Sequence, residues 1–110
     1  MLNREEQCLV NVILTLFRLR DIHHCHVRNS GTIIHTPAGL RFGKNPFPQP
    51  GVPDILAWWN GRSMAIEVKS SGGRLRPEQA RWLDRFQKEG GTALVARSID
   101  DVQRFLNKMN

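Results

Sequence analysis

The sequence predicts a single α/β domain, a mixed β-sheet flanked by helices. Three observations lead there. Apolar residues recur at helical spacing near the start, Asn60-Gly61 is a two-residue hairpin signal between strand-like runs, and a helix opened by Pro77 separates that hairpin from another β-branched run. The 110 residues suffice for one domain spanning 1–110 and are too few for two.

The first helix is expected over 3–20, with Leu9, Val12, Ile13, Leu16 and Phe17 at its apolar spacing. Asn3 is placed to cap it, and Glu5 and Glu6 sit in the first turn, where the helix dipole favours acids. Residues 21–53 hold all four His and five of the six Pro and read as irregular, with a short strand at Thr32–His35. A stretch of that length without periodicity is often a functional loop. Ile55–Trp59 and Ser63–Lys69 form the hairpin strands. Ser70, Ser71, Gly72 and Gly73 make a loop, and Pro77 opens a helix that runs to about Glu89 and stops at Gly90-Gly91. Thr92–Arg97 reads as a strand. Ser98, with Asp101 three residues on, caps a last helix through about Lys108.

Charged residues make up 24% and apolar residues 40%, the balance of a soluble domain with a modest core. No apolar run reaches the roughly 18 residues that suggest a membrane span. The opening Met1–Gln7 segment lacks the basic-then-apolar layout of a signal peptide, so a cytoplasmic location is the expectation. Cys8 and Cys25 are too few for a disulfide framework and are expected as reduced thiols. The net charge is +6, and twelve of the sixteen basic residues are Arg, whose planar fork grips phosphate. A basic domain of this size is a candidate for nucleic-acid binding.

The hairpin carries the chemistry. If Asn60 and Gly61 are the two turn residues, Trp59 faces Arg62, and the same register carried outward sets Asp54 opposite Glu67. Opposed side chains have Cβ atoms about 4.5–5.5 Å apart. Lys69, two residues beyond Glu67, shares their face, while Ile55, Ala57, Met64, Ile66 and Val68 take the other as the core side. Opposed like charges destabilise a sheet unless they share a proton or a divalent cation. Paired hard oxygen ligands suit Mg²⁺, which keeps several waters. Lys69 would stand beside the metal, ready to orient the attacking water or meet the phosphate. Gln79 lies on one helical face with Trp82, Leu83 and Phe86, so its amide needs a partner.

Pro53-Asp54 followed by Glu67-Val68-Lys69 resembles the PD-(D/E)xK nucleases, the superfamily of restriction enzymes and junction resolvases. Gly51 through Ile55, Gly61-Arg62, Ile66 through Lys69, Gly73-Arg74-Leu75, Pro77-Glu78-Gln79, Gly90-Gly91 and Arg97-Ser98 together resemble the virus-type replication–repair nuclease domain (VRR-NUC), in its minimal phage and bacterial form. Arg28-Asn29-Ser30-Gly31 is similar to that family's segment ahead of the hairpin. The resemblance implies a restriction-endonuclease-like core and Mg²⁺- or Mn²⁺-dependent hydrolysis of DNA. It implies that Asp54, Glu67 and the Val68 carbonyl bind metal, that Lys69 is catalytic, and that Gln79 and a first-helix acid contribute. Glu6 is preferred for that acid because it leads the stripe of Leu9, Ile13 and Phe17; Glu5 is the alternative. Where the family carries a basic stretch, this chain reads Val95-Ala96-Arg97, with Ala at one expected Arg.

Arg74 and Arg76 flank the loop after Lys69 and are the expected phosphate grips, with Arg28 and Asn29 as further DNA contacts. The expected substrate is branched DNA, as for Holliday-junction resolvases. Two symmetric cuts by a one-site chain call for a homodimer, with Trp59 a candidate interface residue. Trp58 shares the acidic face, placed to stack on DNA or to pack against a helix or subunit. His23, His24, Cys25 and His26 are adjacent and lack a second ligand pair, which fits a loop or helix end better than zinc. Two other functions compete: a catalytically silent DNA-binding module, and a restriction-type enzyme cutting a short sequence in linear duplex.

Overall fold

A computed structural model of the chain describes residues 2–27, 32–43 and 49–109. The elements run α1 (Arg4–Leu19), β1 (His23–His26), β2 (Thr32–Thr36), β3 (Gly39–Gly43), β4 (Ile55–Trp59), β5 (Arg62–Val68), α2 (Pro77–Lys88), β6 (Thr92–Ala96) and α3 (Ile99–Lys108). The main sheet has the order β1-β4-β5-β6. β1, β4 and β5 are antiparallel neighbours, and β6 joins β5 in parallel through the α2 crossover, so the sheet is mixed as expected. No described helix is long and apolar enough to cross a membrane.

The local signals act where the sequence places them. The Asn3 side chain accepts from Glu6 N while the Glu6 carboxylate accepts from Asn3 N, a complete capping box. α1 ends at Leu19 with Arg20 as its C-cap, and Asp21 just after it takes a left-handed φ of 55°. Ile22 N then reaches Phe17 O, and Asp21 N reaches Arg18 O, the paired bonds of a Schellman motif with Asp in the usual Gly position. Asn60 and Gly61 both have positive φ, 52° and 74°, as a type I′ hairpin turn needs. The resulting register sets Trp59 against Arg62 and Ile55 against Ile66.

That register sorts the sheet into two faces. Ile55, Ala57, Met64, Ile66 and Val68 are buried against Val10, Ile13 and Phe17 of α1 and Val102, Phe105 and Leu106 of α3. The other face, carrying Ala65 and Glu67, is covered by α2, whose Leu83 is buried and whose Gln79 bonds to Glu67. Helices thus flank both sides, and the carboxyl ends of β5 and β6 open between the starts of α1 and α2.

In the 21–53 stretch the expected strand at Thr32–His35 is present as β2, and the rest holds more structure than the irregular reading. The stretch holds three strands: β2 and β3 pair as a separate hairpin, and His23–His26 is an edge strand of the main sheet rather than a loop or helix end. Four polar residues in a row carry little strand preference of their own; pairing to the β4 edge supplies it. Trp59 is partly buried on the core face of the sheet. Its ring packs on the core, with the Arg20 guanidinium 4.9 Å from the ring centre. Trp58 is exposed on the opposite face and meets the His23 ring at 5.3 Å.

Candidate active site

Ladder pairing of β4 with β5 ends at Ile55, so Asp54 lies one step beyond it. Two bonds hold it there. Val27 N donates to the Asp54 carbonyl at 2.8 Å, and Val68 N donates to its Oδ2 at 2.8 Å. In an extended strand the N–H and C=O of one residue point the same way, so the Val68 carbonyl is also directed to the Asp54 side. Lys69 N bonds the opposite way, to Ala96 O of β6. β5 therefore delivers Glu67, Val68 and Lys69 to the sheet's end in alternating directions.

Glu67 and Lys69 are the two buried charged residues among those described, 3% and 8% exposed. Lys69 Nζ stands 3.7 Å from Glu67 Oε1. The Gln79 amide donates to that same oxygen at 3.1 Å, while the Gln79 carbonyl oxygen accepts from Arg76 N at 2.9 Å. The polar side chain on the apolar face of α2 is thereby satisfied at both ends. Glu67 Oε2 is buried with no N–H donor on it, and the Asp54 carboxyl is the group it meets.

A buried carboxylate oxygen without an N–H donor is costly, and the carboxyl responds by holding its proton. Burial, and next the Asp54 charge, push the Glu67 carboxyl up from 4.5 to about 8, against the pull of Lys69. Burial also raises Asp54, opposed chiefly by the bond from Val68 N. Two carboxyls thus compete for charge at one place.

That competition fits a divalent cation. Among the described residues no three His, Cys, Asp or Glu side chains gather into a closed cage, and the donors here are two carboxylates with a backbone carbonyl. Such a partial oxygen set could hold a divalent cation of the hard kind, which leaves positions to water. It does not match zinc, which takes four N or S ligands, and the His23–His26 side chains alternate across β1.

An open cavity of about 910 Å³ sits over these groups. Glu6, Asp54, Glu67, Lys69 and Gln79 line it together, with Arg74 and Arg76 at its margin. Glu6 is the first-helix acid that reaches inside; its Oε2 accepts from Ser70 N at 3.0 Å while its Oε1 caps its own helix. Glu5 lies further out, 3.4 Å from Ser71 N. Arg28 and Asn29 lie outside the described residues. His26 also lines the cavity and was not anticipated, although pairing of β1 to Ile55 would have placed it beside Asp54.

The approach of α2 depends on Gly51. Its φ is +83°, and a Cβ there would lie 2.2 Å from the Glu78 carbonyl oxygen. Only glycine lets the turn before Asp54 press against the first turn of α2, which brings Gln79 over Glu67.

Residues 47–100 match the VRR-NUC domain family, a span that contains Gly51, Asp54, Glu67, Val68, Lys69 and Gln79. A search of the curated proteins gave no match. Residues 47–100 thus match a VRR-NUC domain, of PD-(D/E)xK-like fold and from a family of nucleases, and the mixed sheet, the three flanking helices and the Asp54…Glu67-Val68-Lys69 cluster agree with that match.

Proposed function

We propose that this chain is a Mg²⁺- or Mn²⁺-dependent DNA endonuclease that selects branched DNA, in the manner of a Holliday-junction resolvase. The observation that carries the metal dependence is the buried Oε2 of Glu67, without an N–H donor, beside Asp54 and Lys69. Asp54, Glu67 and the Val68 carbonyl would hold the cation. When bound, it supplies Lewis acidity and neutralises charge growing on the scissile phosphate.

The protein's own groups have distinct tasks. Lys69, buried 3.7 Å from Glu67, stands where the phosphate and attacking water would meet. Gln79 holds Glu67 by one oxygen and leaves the other to meet Asp54. Glu6 braces the backbone just after Lys69. Arg74 and Arg76, both exposed at the cavity margin, grip flanking phosphates; the Arg76 partner Glu78 is 4.0 Å away, too loose to hold it. Arg28 and Asn29 are proposed as further DNA contacts on the basis of the family's segment.

A four-way junction needs symmetric cuts in two strands, which favours a homodimer with two sites facing one DNA. The test is a substrate panel. Four-way junction, flap, fork and linear duplex are each incubated with Mg²⁺ or Mn²⁺, and products are mapped. Paired symmetric incisions in the junction are expected. Cleavage of linear duplex at one short sequence would replace this reading with a restriction-type one, and tight binding without cleavage would replace it with a silent binding module.

A further inference from the structure

The Ser70–Gly73 loop joins Lys69 to Arg74 and is gripped from two sides by residues remote in sequence. Its N–H groups are taken by α1: Ser70 N donates to Glu6 Oε2 at 3.0 Å and Ser71 N to Glu5 Oε1 at 3.4 Å. Its carbonyls are gathered from the opposite side by a single nitrogen. Arg97 Nη1 donates to Ser70 O and to Gly73 O, both at 2.7 Å. The loop also closes on itself through Gly73 N to Ser70 O at 3.0 Å.

The origin of that guanidinium is itself fixed. Arg97 follows Ala96, the residue whose carbonyl receives Lys69 N. Arg97 N donates to Asp101 Oδ2 at 2.9 Å, and Asp101 N donates to Ser98 Oγ at 3.2 Å, so the start of α3 sets the backbone from which the side chain leaves. Asp101 is thereby bonded one residue before the cap, an altered form of the expected capping box.

We infer that Arg97 is a positioning residue of the active site, a clamp that sets the 70–73 loop so that Lys69 and Arg74 face one cleft, and not a DNA phosphate contact. The inference rests on the nuclease reading of the cavity. Both N–H groups of Nη1 go to the loop carbonyls at 2.7 Å, which turns the guanidinium onto the loop and fixes the direction its remaining donors face. Arg97 is exposed, so its loss should leave the fold intact and loosen only the loop. A small misplacement of Lys69 is enough to cost rate, on the order of a hundredfold for about 1 Å.

The test compares wild type, Arg97→Ala and Arg97→Lys in three measurements. Backbone ¹⁵N order parameters of residues 70–74 are read without DNA or metal. Junction cleavage gives kcat and KM. DNA binding is titrated against salt. In Arg97→Ala the loop order parameters should fall with Tm unchanged, kcat should drop roughly tenfold to a hundredfold, and KM and the salt slope should hold. Arg97→Lys keeps several donors on one nitrogen and should recover part of both loop order and kcat. A salt slope reduced by about 0.9 would make Arg97 a phosphate contact and overturn the clamp. Unchanged loop order would overturn it too, as would a kcat loss that merely tracks the folded fraction. If wild type cleaves nothing, the nuclease reading fails by itself, and the order parameters still decide whether Arg97 sets the loop.

Discussion

Gln79 and Glu67 meet through a 3.1 Å bond from the Gln79 amide to one oxygen of a carboxyl whose other oxygen is buried without an N–H donor. The bond crosses from α2 to β5, while burial and the neighbouring Asp54 charge push the Glu67 carboxyl up from 4.5 to about 8.

The first prediction concerns pH and metal. Between 4.5 and about 8 the folded protein binds more protons at Glu67 than the unfolded chain does. The stabilisation is therefore full below 4.5 and is lost as pH rises through 8. Metal-free thermal melts should show Tm falling across that window. Glu67→Gln mimics the protonated form and should flatten the fall; an unaltered slope in that variant would assign it to other groups. A divalent cation must displace the proton, so its affinity should rise by up to about tenfold per pH unit below the shifted value.

Gly51→Ala should damage stability and activity together. The positive φ alone costs roughly 1–3 kcal/mol for a residue with a Cβ, and that Cβ would lie 2.2 Å from the Glu78 carbonyl. Displacing the first turn of α2 moves Gln79 off Glu67. Differential scanning calorimetry and kcat should both report loss, whereas full activity at reduced Tm would detach Gln79 from the reaction.

Arg74 and Arg76 should act on binding. Changing both to Ala should weaken junction affinity broadly and lower the log–log salt slope by roughly 0.9 per lost duplex contact. An unchanged slope would mean that neither reaches a phosphate.

Much of this arrangement was legible because it follows from short-range rules. Asn60-Gly61 dictates a two-residue turn whose register pairs Ile55 with Ile66, and Asp54, one step beyond the ladder, then meets the Glu67 carboxyl. The helical face of α2 exposes Gln79 as a polar residue short of a partner. The illegible parts depend on contacts between distant segments. β1 is a strand because β4 offers an edge, which four residues of His and Cys cannot announce. Arg97 reads as part of a basic stretch until the loop 24 to 27 residues earlier is seen folded onto it. The Arg20 guanidinium over the Trp59 ring likewise joins the end of α1 to β4, a contact that no local pattern announces.

Assembly can be checked by sedimentation. A homodimer at micromolar concentration is expected if two sites address one junction. A fully active species of only 12.6 kDa would oppose it.

Asp54→Asn tests the central claim most directly, measured as junction cleavage with Mg²⁺ and with excess EDTA beside wild type. The amide oxygen of Asn can still accept from Val68 N, and the change removes one of two competing acids, so the variant should fold and be at least as heat-stable as wild type without metal. Lys69→Ala, which strips a cation from beside Glu67, should instead lower metal-free stability. The account predicts that wild type cleaves with Mg²⁺ and not in EDTA, and that Asp54→Asn binds the junction yet loses cleavage by orders of magnitude. Wild-type cleavage that persists in excess EDTA, or near-normal cleavage by Asp54→Asn, would contradict it.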